Sequence, residues 1–190
     1  MKYTRSQHVF ANIKINKAKE TDLSLSLIPI PQKERIQIIV INYCQKLNVP
    51  HLGADQLDDV YHSSPKLIYC FGICNSVTNH LTAYMYDKSE QFKGGNNVAS
   101  LLVDYVQQNF VYDGEAPMKE FNIIMDICAG QNKNRVVICL AVCMMETGMF
   151  SKVNLILLIK GQTKIMCNCM FNTMKWNYAK QNAYTKEETY

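Results

Sequence analysis

The chain has 190 residues, which is enough for one domain with a hydrophobic core of its own. Hydrophobic residues make up 48% of it and charged residues 19%, which are ordinary globular values and exclude a largely disordered or low-complexity chain. The formal net charge of +4 is mild, so it permits nucleic-acid binding without requiring it.

Two features bear on the cellular compartment. The charged residues of Met1–His8 are not followed by an apolar stretch, so they do not form a secretory signal. The longest apolar run, Val136–Met145, is about half as long as a bilayer crossing requires. We therefore expect a soluble protein without a membrane segment, located inside the cell in the nucleus or the cytoplasm.

The eight cysteines do not have zinc-ligand spacing, so reduced thiols are expected. Cys70, Cys139 and Cys143 lie in strongly apolar segments, where a thiol behaves as a small hydrophobic group. We expect these three to lie in the core.

The first part of the chain divides into a lead-in and a group of strands. Residues 1–34 are polar and irregular, as in a lead-in that follows a truncated upstream region. The β-branched segment 36–43 predicts a central strand, and a loop is expected at 48–65. Two further strands, 67–73 and 81–86, are joined by a polar turn and predict a hairpin.

The second part alternates between helices and strands. In chain order the prediction is a helix that begins at Gly94–Asn96, a strand at 121–126, a helix at 135–146 ended by Gly148, a strand at 153–159 and a last helix capped by Thr163. The helix at 135–146 is apolar all round, so it is expected to be buried. A polar tail is predicted at 181–190.

Three antiparallel strands followed by helix–strand–helix–strand–helix is the connectivity of the ribonuclease H-like fold. We therefore predict an α/β domain over residues 35–180, with a mixed sheet and helices on both faces. In such a sheet, ligands gather outside the carboxyl ends of the parallel strands.

Three positions are expected to converge at that place. Asn42 ends the first strand, Asp126 ends the strand at 121–126, and Asn168 lies in the last helix. Phosphoryl transfer by two metal ions needs several carboxylates, and an amide oxygen brings Mg²⁺ or Mn²⁺ only a dipole. One acid and two amides predict a metal site that is weak or lost at Asp126. Asn42 and Asn168 are expected to fill the cavity and to hydrogen-bond each other or Asp126.

A resemblance accompanies this pattern, and four segments carry it: 42–53, 94–100, 125–134 and 158–164. They resemble a family of transposon-derived eukaryotic proteins with a transposase- or integrase-like core, over a stretch from about Ile36 to Tyr184. The most specific block is Asp126-Ile-Cys-Ala-Gly-Gln-Asn-Lys-Asn134.

The resemblance implies an acid triad at positions 42, 126 and 168, where the family usually has Asp instead of Asn42 and Asn168. It also implies His at the position of Gln162 and Arg at that of Cys169. We therefore expect a degenerate core that lacks metal-dependent nuclease activity and retains some nucleic-acid binding, with DNA as the partner. A cofactor is not expected, and Mg²⁺ or Mn²⁺ would be needed only if activity survived.

Several alternatives stay open. The candidate nucleic-acid contacts are Gln131, Asn132, Lys133, Arg135, Lys160, Lys164 and Lys175. The same residues also fit a solvated helix face, and Asn132 or Asn134 also fits a simple helix cap. Asp126 also fits a strand-end acid that caps the next turn. The competing functions are an active metal nuclease or strand transferase that recruits Asp87, Glu90 or Asp104, and a protein-interaction module.

Overall fold

The sheet is built around its first strand, whose residues are mostly apolar and largely β-branched. The computed structural model describes residues 36–52, 65–110, 117–158 and 166–184. In chain order its elements are β1 (Ile36–Tyr43), β2 (Leu47–Val49), β3 (Lys66–Asn75), β4 (His80–Asp87), α1 (Gly95–Asn109), β5 (Glu120–Asp126), α2 (Arg135–Glu146), β6 (Val153–Leu158) and α3 (Met166–Tyr178).

The six strands form one mixed sheet. β1 lies at its centre, antiparallel to β3 and parallel to β5, and β6 continues the parallel part beyond β5. β3 and β4 form the predicted hairpin, with Asn75 opposite His80 at its turn. The predicted α/β class with a mixed sheet is therefore confirmed.

One strand was not predicted. β2 lies mostly inside the segment expected to be a loop, and it pairs with residues 66–68 of β3 beyond the end of β1. Its three residues are too few to show a period of their own, so its pairing with β3 defines it as a strand.

Helices cover both faces of the sheet. Ile39 and Ile41 of β1 pack with Ile123 of β5 in a core that includes buried residues of α1 and α2. The alternate residues, such as Ile38 and Val40, pack with buried residues of α3. This alternation follows from the two-residue period of a strand, because neighbouring side chains point to opposite faces.

α2 corrects one prediction. The helix is apolar all round, but only Val137, Ala141 and Met144 are buried. α2 packs against α1 and β6, so one side of it is covered within the described part of the chain. The exposed apolar side chains are Val136, Ile138, Val142 and Met145, and Cys139 and Cys143 are exposed as well. The expectation that these two cysteines lie in the core is wrong, whereas Cys70 is fully buried as predicted.

One residue before α2 and one after it determine where the helix begins and ends. Asn134 precedes the helix, and its side-chain oxygen accepts a hydrogen bond of 3.1 Å from the backbone N–H of Val137. Asn134, rather than Asn132, is therefore the helix cap. Gly148 has a φ of 71°, a left-handed conformation that ends the helix as predicted.

α3 is held against the sheet by Cys167 and Phe171, both buried. The Phe171 ring lies on Gly72 of β3 so closely that a Cβ atom there would come within 2.5 Å of the ring. The Cys167 thiol donates to the Val40 carbonyl oxygen at 2.9 Å. Thr163, the predicted cap, lies outside the described residues.

The chain does not leave the domain at residue 180. Ala183 is buried and forms an antiparallel bridge with His51, through backbone hydrogen bonds of 2.7 and 2.8 Å. Residues 181–184 of the predicted polar tail therefore include a contact with the fold. Among the described helices, none is long and apolar enough to cross a membrane.

Candidate site at the carboxyl ends of the parallel strands

Asn42 and Asp126 lie level with each other on neighbouring strands. The parallel register pairs Val40 of β1 with Ile124 of β5, and both residues stand two positions further along. Val40 and Ile124 face α3, so the two-residue period turns Asn42 and Asp126 to the same side. The strand ends therefore bring two of the three predicted positions together.

The third position is joined to the first by a hydrogen bond. The Asn42 side-chain Nδ2 donates to the Asn168 Oδ1 at 2.8 Å. The other arm of Asn42 accepts from the backbone N–H of Tyr43 at 2.9 Å. Both polar atoms of this carboxamide are thus engaged, and its orientation is fixed.

Asp126 is engaged by the loop that follows β5. The Asn132 Nδ2 donates a short hydrogen bond to the Asp126 carboxylate. The loop is closed on the Cys128 carbonyl oxygen, which accepts from the N–H groups of three successive residues at 3.2, 2.8 and 2.9 Å: Gln131, Asn132 and Lys133. The Asp126 carboxylate therefore binds a side chain of the loop that follows it, which agrees with the turn-capping interpretation.

Asn132 is 3% exposed, so little of its side chain is available in this structure for the nucleic-acid contact predicted from the sequence. Its role in the structure is to hold Asp126. The Asn132 Oδ1 is buried without a hydrogen-bond donor among the residues that the structure describes.

The donor set does not fit a pair of divalent cations. In the described parts of the chain, no three His, Cys, Asp or Glu side chains are grouped so that they could hold a metal ion. Asp126 supplies the carboxylate of the three converging residues, and an amide supplies no charge to offset a metal.

The acids proposed as replacements have other partners. The Asp87 carboxylate forms an ion pair with Lys66 at 2.5 Å and accepts from the backbone of Ser89 at 2.7 Å. Lys66 and Ser89 hold the pKa of Asp87 far below its usual range. Asp104 lies within α1, where it accepts from the side chain of Gln108 at 2.8 Å.

Basic residues border the carboxyl end of the sheet. Lys133, in the loop that follows β5, and Arg135, at the start of α2, are exposed, and Gln131 in the same loop is half-buried. Lys175 on α3 donates to the Gln45 side-chain oxygen at 3.1 Å, just beyond β1. The predicted contacts Lys160 and Lys164 lie outside the described residues.

Two further lysines at this edge were missed from the sequence. The Lys93 ammonium stands over the rings of Tyr43 and Tyr69, at 4.6 and 4.8 Å from their centroids, and Lys46 stands over Tyr69 at 5.8 Å. Burial lowers the pKa of Lys93, and the charge of Lys46 lowers it further. The only sequence signal was a lysine directly before Gly94.

The positive charge also acts on the thiol beside the site. The hydrogen bond to Cys70 lowers the pKa of Cys44, burial opposes this, and Lys175 and Lys93 add to the lowering. The two cysteines are adjacent because the Cys44 N–H donates to the Cys70 carbonyl oxygen at 2.8 Å.

Comparison with known proteins gives a family. No curated protein matches the chain, and no solved structure does. The model of a family described as a domain of unknown function, DUF7869, matches residues 68–189. This stretch runs from β3 beyond α3 and includes Asp126 and Asn168, while Asn42 precedes it. The chain belongs to the DUF7869 family.

Proposed function

We propose that this chain is a ribonuclease H-like domain of transposase or integrase origin that has lost metal-dependent cleavage and binds nucleic acid. The strand order supports the fold. An antiparallel β4–β3–β1 group continues into parallel β5 and β6, with α1 and α2 on one face and α3 on the other. In this fold the reactive groups gather where β1 and β5 end.

The hydrogen bond between Asn42 and Asn168 carries the proposal. One amide donates to the other at 2.8 Å, where a two-metal site would need carboxylates that repel each other until cations join them. Asp126 is left as the anionic member, and it is already bound to Asn132. Cleavage by a pair of Mg²⁺ ions lacks the negative charge to hold them.

The charge at the same end of the sheet supports nucleic-acid binding. Lys46, Lys133 and Arg135 are exposed there, and Lys175 extends the group on α3. The nearby acid Asp87 is neutralised by Lys66. A basic edge around a site with little negative charge attracts phosphate groups, and such attraction weakens as salt rises.

A salt titration tests the binding. Fluorescence anisotropy with a labelled DNA oligonucleotide gives the slope of log affinity against log salt concentration. The double variant Lys133→Gln/Arg135→Gln should reduce this slope by about two, since each phosphate contact contributes roughly one. The matched control is Lys119→Gln/Lys152→Gln, which removes two exposed charges from the opposite end of the sheet and should leave the slope unchanged.

A nicking assay with Mg²⁺ or Mn²⁺ tests the loss of cleavage. We expect the unaltered chain to leave DNA intact. Nicking that disappears in Asp126→Ala would overturn this part of the proposal. Absence of salt-dependent binding to DNA and RNA would overturn the other part and favour a protein-interaction module.

A further inference from the structure

A groove lies at the same end of the sheet, on the face opposite Asn168. It separates the start of α1 from the loop and cap that lead into α2, and its volume is about 620 Å³. Pockets of about 300 to 1,000 Å³ hold small ligands such as single nucleotides. The wall residues that matter below are Phe92, Gly94, Asn96, Asn97, Gly130 and Asn134.

The start of α1 lines this groove, and its first N–H groups have no capping partner among the described residues. Gly94 precedes the helix and cannot cap it, and no other described side chain does. The first intrahelical bond runs from Val98 to the Gly94 carbonyl oxygen at 3.0 Å, so the N–H groups of Gly95, Asn96 and Asn97 lie before it. An anion at this place gains hydrogen bonds and the favourable end of the helix dipole.

Asn97 gives an independent indication of a ligand. It is 8% exposed, and its Nδ2 donates to the hydroxyl groups of Tyr86 and Tyr43 at 2.5 and 3.3 Å. Its Oδ1 is buried without a donor in the described part of the chain. A buried acceptor without a partner is costly, and a ligand that carries an N–H group removes this cost.

Phe92 and two glycines give the groove a flat apolar wall with room beside it. The Phe92 side chain is 71% exposed among the residues that the structure describes, so its ring is available for stacking. A Cβ atom added at Gly94 or Gly130 would meet nothing within 4 Å, so the space beside both is open. A planar group can enter there and stack on the ring.

We propose that this groove binds one nucleotide of a single-stranded nucleic acid. The base stacks on Phe92 and donates an N–H group to the Asn97 oxygen, and the phosphate accepts from the N–H groups that begin α1. This inference rests on the proposed nucleic-acid binding and adds that the bound form is a single strand. A duplex keeps its bases stacked and paired, so placing one in the groove costs the free energy of flipping it out, which a single strand does not pay in full.

The neighbouring charge agrees with this arrangement. Lys93 lies between Phe92 and Gly94, and its ammonium is held over Tyr43 beside Asn97. The ammonium lies over the Tyr43 and Tyr69 rings and does not line the groove, so its positive charge acts on a bound phosphate at longer range. Asn96 supplies further donor and acceptor atoms for the base edge or the sugar.

The experiment compares a labelled single-stranded oligonucleotide with its duplex, for the unaltered chain and for variants at Phe92. We expect tighter binding of the single strand and a loss of about tenfold in Phe92→Ala, since one stacked base contributes on this scale. Phe92→Tyr keeps the ring and should bind like the unaltered chain. Trp176→Ala removes another exposed aromatic side chain, 62% exposed on α3, and should have no effect.

A second measurement locates the site. Nuclear magnetic resonance titration with a nucleoside 5′-monophosphate should shift the amide signals of Gly95 and Asn96, and in Phe92→Ala these shifts should need higher concentrations. Inorganic phosphate at the same concentrations should have a much smaller effect. Equal shifts with phosphate would reduce the groove to an anion site and overturn the inference.

The outcomes separate the two proposals. Equal affinity for single strand and duplex, together with an unaffected Phe92→Ala, would overturn the groove and leave the basic edge. If Lys133→Gln/Arg135→Gln does not change the salt slope but Phe92→Ala still weakens binding, the nucleic acid binds in the groove and not at the basic edge. If Phe92→Ala leaves single-strand binding unchanged and Lys133→Gln/Arg135→Gln leaves the salt slope unchanged, both proposals are overturned.

Discussion

The Asn42 side chain donates a hydrogen bond of 2.8 Å to the Asn168 side chain, across 126 positions of the sequence. This bond connects the end of the central strand with the helix that covers it. It places two neutral groups beside Asp126 at the edge where the parallel strands end. The chemistry of this edge therefore depends on amides, and its charge can be changed by replacing them.

Restoring acids at both positions should create a metal site. Asn42→Asp/Asn168→Asp places three carboxylates together, so we expect Mn²⁺ binding in calorimetry that the unaltered chain lacks. Mn²⁺ at a hundred times its dissociation constant should then stabilise the variant by about 2.7 kcal/mol. Adding Asp126→Ala should abolish the gain. Tight binding of two Mn²⁺ ions by the unaltered chain would contradict the argument.

Gly72 should not tolerate a side chain. Its Cβ position is 2.5 and 2.7 Å from Cζ and Cε1 of the Phe171 ring, and this buried ring would have to shift to make room. Gly72→Ala should cost about 1 to 3 kcal/mol of unfolding free energy in urea denaturation, as overpacked cores do. The double variant Gly72→Ala/Phe171→Leu should lose less than the sum of the single changes. Strict additivity would mean that the two residues do not meet.

The cap of α2 should be measurable. Asn134→Ala removes the acceptor for the Val137 N–H and should cost about 0.5 to 2 kcal/mol. Asn134→Asp keeps an oxygen in the same place and should retain most of the stability. An equal loss in both variants, measured by urea denaturation, would assign the effect to the hydrogen bond that the Asn134 Nδ2 donates to the Gln131 carbonyl oxygen at 2.8 Å, rather than to the cap.

Two adjacent residues of α2 should respond differently. Val137 is 1% exposed, whereas Ile138 is 52% exposed. Val137→Ala should cost about 2 kcal/mol through lost burial and the cavity left behind, while Ile138→Ala should stay within about 0.5 kcal/mol. Equal losses in thermal unfolding would show that another part of the protein covers the outer face of the helix.

Asp87 should make stability depend on pH. Its pKa is held far below the unfolded value of about 3.9, so the carboxylate stabilises the fold above that pH. The contribution is lost as the pH falls below about 4 toward the folded pKa, because the unfolded chain then binds the proton first. Asp87→Asn should lower the melting temperature at pH 7, and the difference should shrink in acid. A constant difference from pH 7 to pH 3 would contradict the ion pair with Lys66.

The sequence alone determined the order of the main strands and helices. The β-branched run at 36–43, the glycines before α1 and Gly148 after α2 are local signals, and each marks an element that the structure contains. The candidate positions followed from the same order, since Asn42 and Asp126 end strands that run in parallel. These predictions hold because period and turn chemistry depend on neighbouring residues.

Tertiary contacts decided the rest. β2 is a strand only because β3 pairs with it, and α2 leaves an apolar face exposed because its neighbours cover one side. Asn132 is buried against Asp126, and the Asn97 amide is drawn to two tyrosines, although both read as ordinary polar residues in the sequence. A local pattern records the period of a segment but not which distant atoms it meets, and those atoms determine burial, charge and the groove.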